Sequence, residues 1–396
     1  MDFSLSDHHL LIRDTVREFM HTEVRPHVKE WERTDHFPLD AIKKLGALGC
    51  CGMLLSEEWG GPGLDTLSYV LMLEEVAKVH AAMATAISVT NSAVQTPLLV
   101  FGTDDQKSKY LRRLASGEIL GAFCLTEPAA GSDAAGIQAT AVPSSTSEDL
   151  WSRHSPLATG HYLLNGTKTW VTNGSHAGLF IVFAKTDPAA AGKGITAFLL
   201  EPNTPGLKIG RHEDKMGQRS SPSVEIILDN CVVPASARLG EEGQGLKIAL
   251  SALDNGRIGI ASLAVGLAQG ALDESVKYAR ARRAFGKSIG EFQVIQWMFA
   301  DMHTELEAAR ALVYQAASLK DTGAKIGSAA SRAKLYASEM ANRVVYKAVQ
   351  IHGSLGYSRE SEVERMYRDA RVLTIYEGTS EIQRTIIARD LLSRPT

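Results

Sequence analysis

An α+β fold in three successive units is predicted for this chain. Helical periodicity governs residues 1–120, short β-rich runs replace it over 121–234, and long amphipathic helices return over 235–396. These units read as an N-terminal α-helical domain, a central antiparallel β-sandwich or barrel, and a C-terminal antiparallel helical bundle that includes an acid-bearing loop. The length agrees, since 396 residues exceed the usual size of one domain and allow two or three cores.

The first unit opens on apolar positions Ile12, Val16, Phe19, Val24 and Val28, near helical spacing, with a kink expected at Pro26. Pro38 suits the first position of a second helix, and Gly46 or Gly49 its end. Residues 57–63 form a loop, and Asp65 caps the next helix, which carries Leu67, Val70, Leu71, Glu74 and Glu75. Thr103 and Gln106 have capping-box spacing, and Gly117 stops the helix that follows.

In the second unit, strands are expected at 121–125, 137–142, 162–171, 179–184, 195–200 and 224–228. Asn165-Gly166 reads as a type I′ hairpin turn between apolar and Thr-rich flanks. Residues 143–159 are Ser-rich, carry Trp151 and His154, lack periodicity and read as a surface insertion.

Three long helices follow in the third unit. The first runs through Leu246, Leu250, Leu253, Ile260, Ala264, Ala268, Leu272, Val276 and Ala279; the second carries Phe292, Ile295, Phe299, Met302, Leu306, Ala309, Val313 and Ala316. The third carries Ala333, Ala337, Met340, Val344, Ala348 and Ile351. Its small face (Ala330, Ala333, Ala337, Ala341) suits close packing within a subunit or between subunits, and the sequence leaves both open.

Composition narrows the function. With 44% hydrophobic residues there is still no uninterrupted apolar run of about 18 residues, so no membrane insertion is expected. The N-terminus has neither a basic segment nor an apolar core, and a cytoplasmic protein is the default expectation. Cys50, Cys51, Cys124 and Cys231 have no CxxC or His/Cys spacing, so neither disulfides nor a metal site is indicated. A net charge of −3 with scattered basic residues gives no case for nucleic acid.

Glu377 stands between Tyr376 and Gly378, just before Thr379 and Ser380, which are able to cap a helix. A general base is placed this way, on a turn where a glycine lets a ligand approach the backbone. The same acid would also serve as an ordinary first-turn partner of the helix dipole. There is no Walker loop and no strand-linked GxGxxG, and the acids of residues 240–245 repel phosphate, so any nucleotide must be held by another route.

Six stretches in order carry a family resemblance: residues 125–128 with Gly131-Ser132-Asp133, 165–174, 282–286, 350–353 with Gly356-Tyr357, 368–371, and 375–384. Together they resemble the acyl-CoA dehydrogenases over nearly the whole chain. The resemblance implies that family's fold, with a C-terminal four-helix bundle. It also implies a homotetramer, FAD lying extended between the β-domain, the C-terminal helices and a neighbouring subunit, and an electron-transfer flavoprotein as acceptor.

Carried onto this sequence, the resemblance puts Leu125, Thr126, Trp170 and Thr172 around the flavin and Arg282 at the pyrophosphate. Phe285, Gln293, Gln350 and Gly353 fall at the ADP half, and Thr379 and Glu381 also contact FAD. Ser132, Asp254, Arg257 and Gly378 meet the acyl-CoA; Asp254 and Arg257 read equally as a surface ion pair. The resemblance further implies that Glu377 abstracts the α-proton while the β-hydride goes to the flavin, giving a trans-2-enoyl-CoA from a short- to medium-chain substrate in fatty-acid β-oxidation.

Relatives that carry the base on the long helix do so at a position aligned with Gly256, which has no carboxylate here. An oxidase on the same fold is the alternative reading. A DNA-associated alkylation-response protein requires a basic stretch this chain lacks, and nitroalkane oxidation requires Asp at the base position.

Overall fold

The structure is a computed structural model that describes residues 4–144 and 160–393. The expected insertion, with Trp151 and His154, lies outside the described residues except for Pro143 and Ser144.

The chain begins with helices α1 (Asp7–Phe19), α2 (Val28–Thr34), α3 (Leu39–Ala47), α4 (Thr66–Val79), α5 (Ala81–Ser88), α6 (Thr96–Phe101) and α7 (Asp104–Ala115). The starts of α1, α4 and α7 are set by side chains that satisfy orphan N–H groups. Asp65 accepts from Ser68 N, and Thr103 and Gln106 form a reciprocal capping box. Pro26 produces the expected break: between α1 and α2 the chain passes through a π turn (Met20–Val24) and a 3₁₀ turn (Arg25–His27), because proline has no N–H to continue the ladder.

The sheet holds β1 (Leu120–Cys124), β2 (Thr140–Ser144), β3 (His161–Thr172), β4 (Ala177–Lys185), β5 (Ile195–Leu200), β6 (Leu207–His212), β7 (Ser223–Pro234) and β8 (Arg238–Leu239). The order is β6-β7-β3-β2-β4-β5-β8, with β1 on β4; pairing is antiparallel except at β1–β4 and β2–β4. One face packs Leu179, Ile181 and Phe183 against Leu98, Leu111 and Leu114, and the other closes over Phe180, Phe198, Leu164 and Ile226. Strand β6 was not expected, since its few apolar residues are weakly buried and Ile209 is largely exposed.

Asn165-Gly166 is not a hairpin turn. β3 runs straight through it, with a bulge against β7 between Leu164 and Gly166. Gly166 has φ +145°, and a Cβ there would lie 2.7 Å from the Ala139 side chain, while Asn165 Oδ1 accepts from Asn230 N at 2.8 Å. Tertiary partners on both sides thus use residues whose local preference is a turn.

Then come α8 (Gly245–Ala281), a tight hairpin of β9 (Arg283–Ala284) and β10 (Lys287–Ser288), and α9 (Gln293–Asp321), α10 (Gly327–His352), α11 (Glu362–Ala370) and α12 (Ser380–Leu392). Between Ile258 and Leu272, helix α8 buries every residue but Gln269 and is therefore a core helix. Among the described residues it is long and apolar enough to cross a membrane, but 72% of its apolar stretch is buried within the molecule. Leu250 departs from the expected stripe at 47% exposure, because Ile248, Ala249 and Ala252 carry the buried face there. Val16, Met72 and Val76 share one core with Leu263 of α8, Leu306 of α9 and Val344 of α10, so the helices on either side of the sheet pack together.

Candidate active site

After α11 the chain reaches two consecutive left-handed residues, Glu377 (φ +54°) and Gly378 (φ +89°), before Thr379 caps α12 by accepting from Ile382 N. A left-handed glutamate costs on the order of 1 kcal/mol and persists only where its surroundings hold it. Several groups do so. Tyr376 Oη lies 3.3 Å from Thr85 Oγ1 and accepts from Gln218 Nε2 at 3.5 Å. Gln383 Nε2 donates to the carbonyls of Glu377 (3.1 Å) and Gly378 (3.0 Å), and Lys334 Nζ donates to the Gly378 carbonyl at 2.7 Å. A Cβ on Gly378 would meet Gln383 Nε2 at 2.6 Å.

The Glu377 carboxylate is aimed into the protein, where Oε2 is buried and without a hydrogen-bond partner among the described residues. Burial pushes its pKa up to about 7, against the opposing pull of Arg257 and Lys334. It rests against Gly256 of α8, where a Cβ would lie 2.5 Å from Oε2. A side chain at 256 and the Glu377 carboxylate therefore compete for one space. Glu377 N–H donates to no protein acceptor among the described residues.

Arg257 and Asp254 form a 2.5 Å ion pair, and Arg257 acts on the Glu377 carboxylate. The Arg257 end of the pair is only 4% exposed, while the Asp254 side chain remains 38% exposed. Burial raises the Asp254 pKa, with Arg257 opposing. One helical turn beyond Gly256, the open side of Gly259 is filled by Ser88 Oγ and Tyr69 Oη, 2.5 and 2.9 Å from where a Cβ would stand.

A second group forms at the end of β3. Its pairing with β7 is interrupted between Lys168 and Val171, and Trp170 takes φ +59°, which turns the indole outward to 58% exposure. Leu125 and Thr126 run alongside, with Thr169 N donating to Thr126 O at 2.9 Å. Beneath them, fully buried Lys168 pairs with Glu127 Oε1 at 2.6 Å and donates to Leu125 O at 3.2 Å; Glu127 also accepts the N–H groups of Gln138 and Ala139. The hydroxyls of Thr126 and Thr172 have no protein partner among the described residues.

A third group lies at one end of the helices. Arg282 caps α8, is exposed, and its guanidinium has no protein partner among the described residues. Phe285 and Gly286 (φ +50° and +80°) form the tip of the β9–β10 hairpin, leaving Phe285 95% exposed. Gln293 is the first residue of α9, and Gln350 and Gly353 are at the end of α10, where Gly353 (φ +59°) leaves open space in place of a side chain. The Tyr278 and His352 rings stack at 4.4 Å, joining the ends of α8 and α10. No hydrogen bond or ion pair among the described residues links this group to the Trp170 group. Ser132 is exposed in the loop after Glu127 with no bond to the Glu377 region, and Glu381 is exposed in the first turn of α12.

Sequence reasoning assigned no role to Lys334, Gln383, Gln218 or the Glu127–Lys168 pair. Lys334 had a signal, being a lone cation on the same helix face as Ala330, Ala337 and Ala341.

Sequence profiles described as "Acyl-CoA dehydrogenase, N-terminal domain", "middle domain" and "C-terminal domain" match residues 6–118, 122–231 and 243–392. The short-chain specific acyl-CoA dehydrogenase of Clostridium acetobutylicum is 43% identical over 388 residues, covering 98% of this chain and 99% of that one. Butyryl-CoA dehydrogenase from Megasphaera elsdenii superposes with a TM-score of 0.93 at 42% identity, over 99% of this chain and 100% of that one. A chain from the structure described as the electron transferring flavoprotein of Acidaminococcus fermentans superposes at 0.94, with 44% identity and full coverage of both.

Proposed function

Because the chain belongs to the acyl-CoA dehydrogenase family, a family of flavoprotein oxidoreductases, we propose that it oxidises a short-chain acyl-CoA to the trans-2-enoyl-CoA with FAD as cofactor. The observation that carries this reading is half-buried Glu377, whose Oε2 is buried and without a partner among the described residues and whose pKa is pushed up to about 7. An ordinary carboxylate, near ~4.3, is too weak to take a proton next to a thioester, and raising it toward the working pH makes it an effective base. The free N–H of Glu377 suits the thioester oxygen, where charge develops as the α-proton leaves. Asp254 and Arg257 line the approach from α8, Gly378 gives the substrate close access to the backbone, and Ser132 meets it from the loop after Glu127.

The chain fits FAD in two places. Trp170 presents an outward indole face beside the free hydroxyls of Thr126 and Thr172 and the Leu125 strand end, a surface suited to a flavin ring. Arg282 offers an unpaired guanidinium for the pyrophosphate, with Phe285, Gln293, Gln350 and Gly353 around it for the ADP half. Thr379 and Glu381 complete the contacts from α12. FAD, when bound, supplies the acceptor for the hydride leaving the β carbon.

No hydrogen bond or ion pair among the described residues joins the two surfaces, which supports a homotetramer in which one copy's hairpin completes a neighbour's cofactor site. The likeness to a chain from the Acidaminococcus fermentans structure supports an electron-transfer flavoprotein as electron acceptor.

Arg282→Ala is expected to weaken FAD binding about 10- to 100-fold, the value of a charge-assisted hydrogen-bonding group. Visible flavin absorbance of the purified variant reads this, and full occupancy at low FAD would remove Arg282 from the pyrophosphate.

Acyl length follows from Gly259. An acyl tail reaching more than about 5 Å past the base, one helical turn, must displace the buried Tyr69 and Ser88 hydroxyls. Tyr69→Ala is expected to raise the octanoyl-to-butyryl ratio of kcat/KM at least ~10-fold, since each methylene in an apolar pocket is worth about 1–3 kcal/mol. An unchanged ratio would place the pocket floor elsewhere.

The reading as a whole is tested by anaerobic mixing of the flavin-loaded protein with butyryl-, octanoyl- and palmitoyl-CoA. Fastest bleaching by butyryl-CoA is expected; bleaching by none of them would refute a dehydrogenase.

A further inference from the structure

Lys334 is completely buried, on the face of α10 turned toward the Glu377 loop. Its one hydrogen bond among the described residues goes to a neutral acceptor, the Gly378 carbonyl, and no carboxylate lies within ion-pair distance of Nζ. A buried ammonium without a counter-ion is costly and needs a reason. The Glu377 carboxylate belongs to the residue next to that carbonyl, and its Oε2 is itself buried and without a partner among the described residues.

The other charged and titratable groups facing that carboxylate are few. Arg257 approaches from α8 but shares its charge with Asp254, Tyr69 approaches from α4, and Tyr376 precedes it on the loop; Glu339 of α10 and Glu381 of α12 act on Lys334 instead.

We propose that Lys334 is the positioning residue of the Glu377 base: it pins the left-handed loop through Gly378 and supplies the unpaired buried cation that keeps the carboxylate ionised. The catalytic half of this statement rests on Glu377 being the base. The electrostatic half does not. Burial alone drives Glu377 toward its protonated, inactive form, so a base this deep needs an opposing charge that does not neutralise it by direct contact. The carbonyl bond holds the ammonium in place without an ion pair.

The test uses FAD-loaded protein without substrate. The infrared band of the protonated carboxyl that disappears in Glu377→Gln is titrated with pH. In Lys334→Gln, which keeps a donor for Gly378 but loses the charge, its midpoint is expected to rise by about one pH unit. Lys334→Arg is expected to restore most of that shift. In parallel, labelled-lysine NMR should find the Lys334 midpoint in Glu377→Gln lowered by the same amount, because coupling between two titrating groups is reciprocal. This second arm needs no change at Lys334 and stands if Lys334→Gln fails to fold.

With active protein, the acid limb of kcat should move with the carboxyl midpoint while KM stays put; a merely structural lysine would change stability and leave both midpoints alone. Unmoved midpoints in either arm overturn the proposal. Shifted midpoints in a protein that no acyl-CoA bleaches would retain Lys334 as partner of the carboxylate and refute the dehydrogenase reading alone.

Discussion

Glu377→Gln is expected to bind FAD and butyryl-CoA as the unaltered chain does and to turn over at least ~10³-fold more slowly, within the range for a lost general base. The amide fills the same space against Gly256 and accepts no proton, so chemistry fails while binding survives. Single-turnover bleaching checks it, and a rate within tenfold of the parent would take Glu377 out of the mechanism.

The same substitution has a second consequence. Burial holds the folded carboxyl at about 7 against an ordinary 4.5, so its contribution to stability is complete below 4.5 and is lost as pH rises through 7. Glu377→Gln should therefore be more stable than the parent above pH 7, by at most about 3 kcal/mol, and no more stable near pH 4. A thermal scan at both pH values would show a base kept at the expense of stability.

Lys168→Met is expected to cost about 3–5 kcal/mol, because it leaves the Glu127 carboxylate buried without its counter-ion. The pair also fixes Leu125 and Thr126, through the Lys168 bond to the Leu125 carbonyl and the Glu127 bonds to Gln138 and Ala139. Loss of stability should therefore come with faster loss of flavin. Adding Glu127→Gln should recover part of the stability by removing the stranded charge. A drop below about 1 kcal/mol in the single variant would mean that water or a rearranged donor reaches Glu127.

Most of the helical architecture was legible, because Asp65, Thr103 and the apolar stripes of α8, α9 and α10 act locally. What escaped depends on distant partners. Asn165-Gly166 looks like a turn until Ala139 and Asn230 close on it, and β6 has too little apolar alternation to register. At the site, Glu377 was legible through its neighbours Tyr376 and Gly378. Its setting was not: Gly256, Lys334 and Gln383 come from three other helices, and no spacing in the sequence brings them to one carboxylate. Arg257 shows the same limit, since the motif located the ion pair with Asp254 and only the fold shows that its Arg257 end is buried.

The core shared between the two sets of helices has a consequence for synthesis. Helix α4 ends at residue 79 and α8 begins at residue 245, so Met72 and Val76 leave the ribosome with only the early helices, through residues such as Val16 and Met20, to meet until the sheet and then α8 have been made. At about 5–20 residues per second that interval is roughly 10–30 s. During it the first third of the chain is an unfinished half of a core, exposed to aggregation and to proteases. Truncation just before Gly245 should therefore give an insoluble product rather than a smaller folded domain.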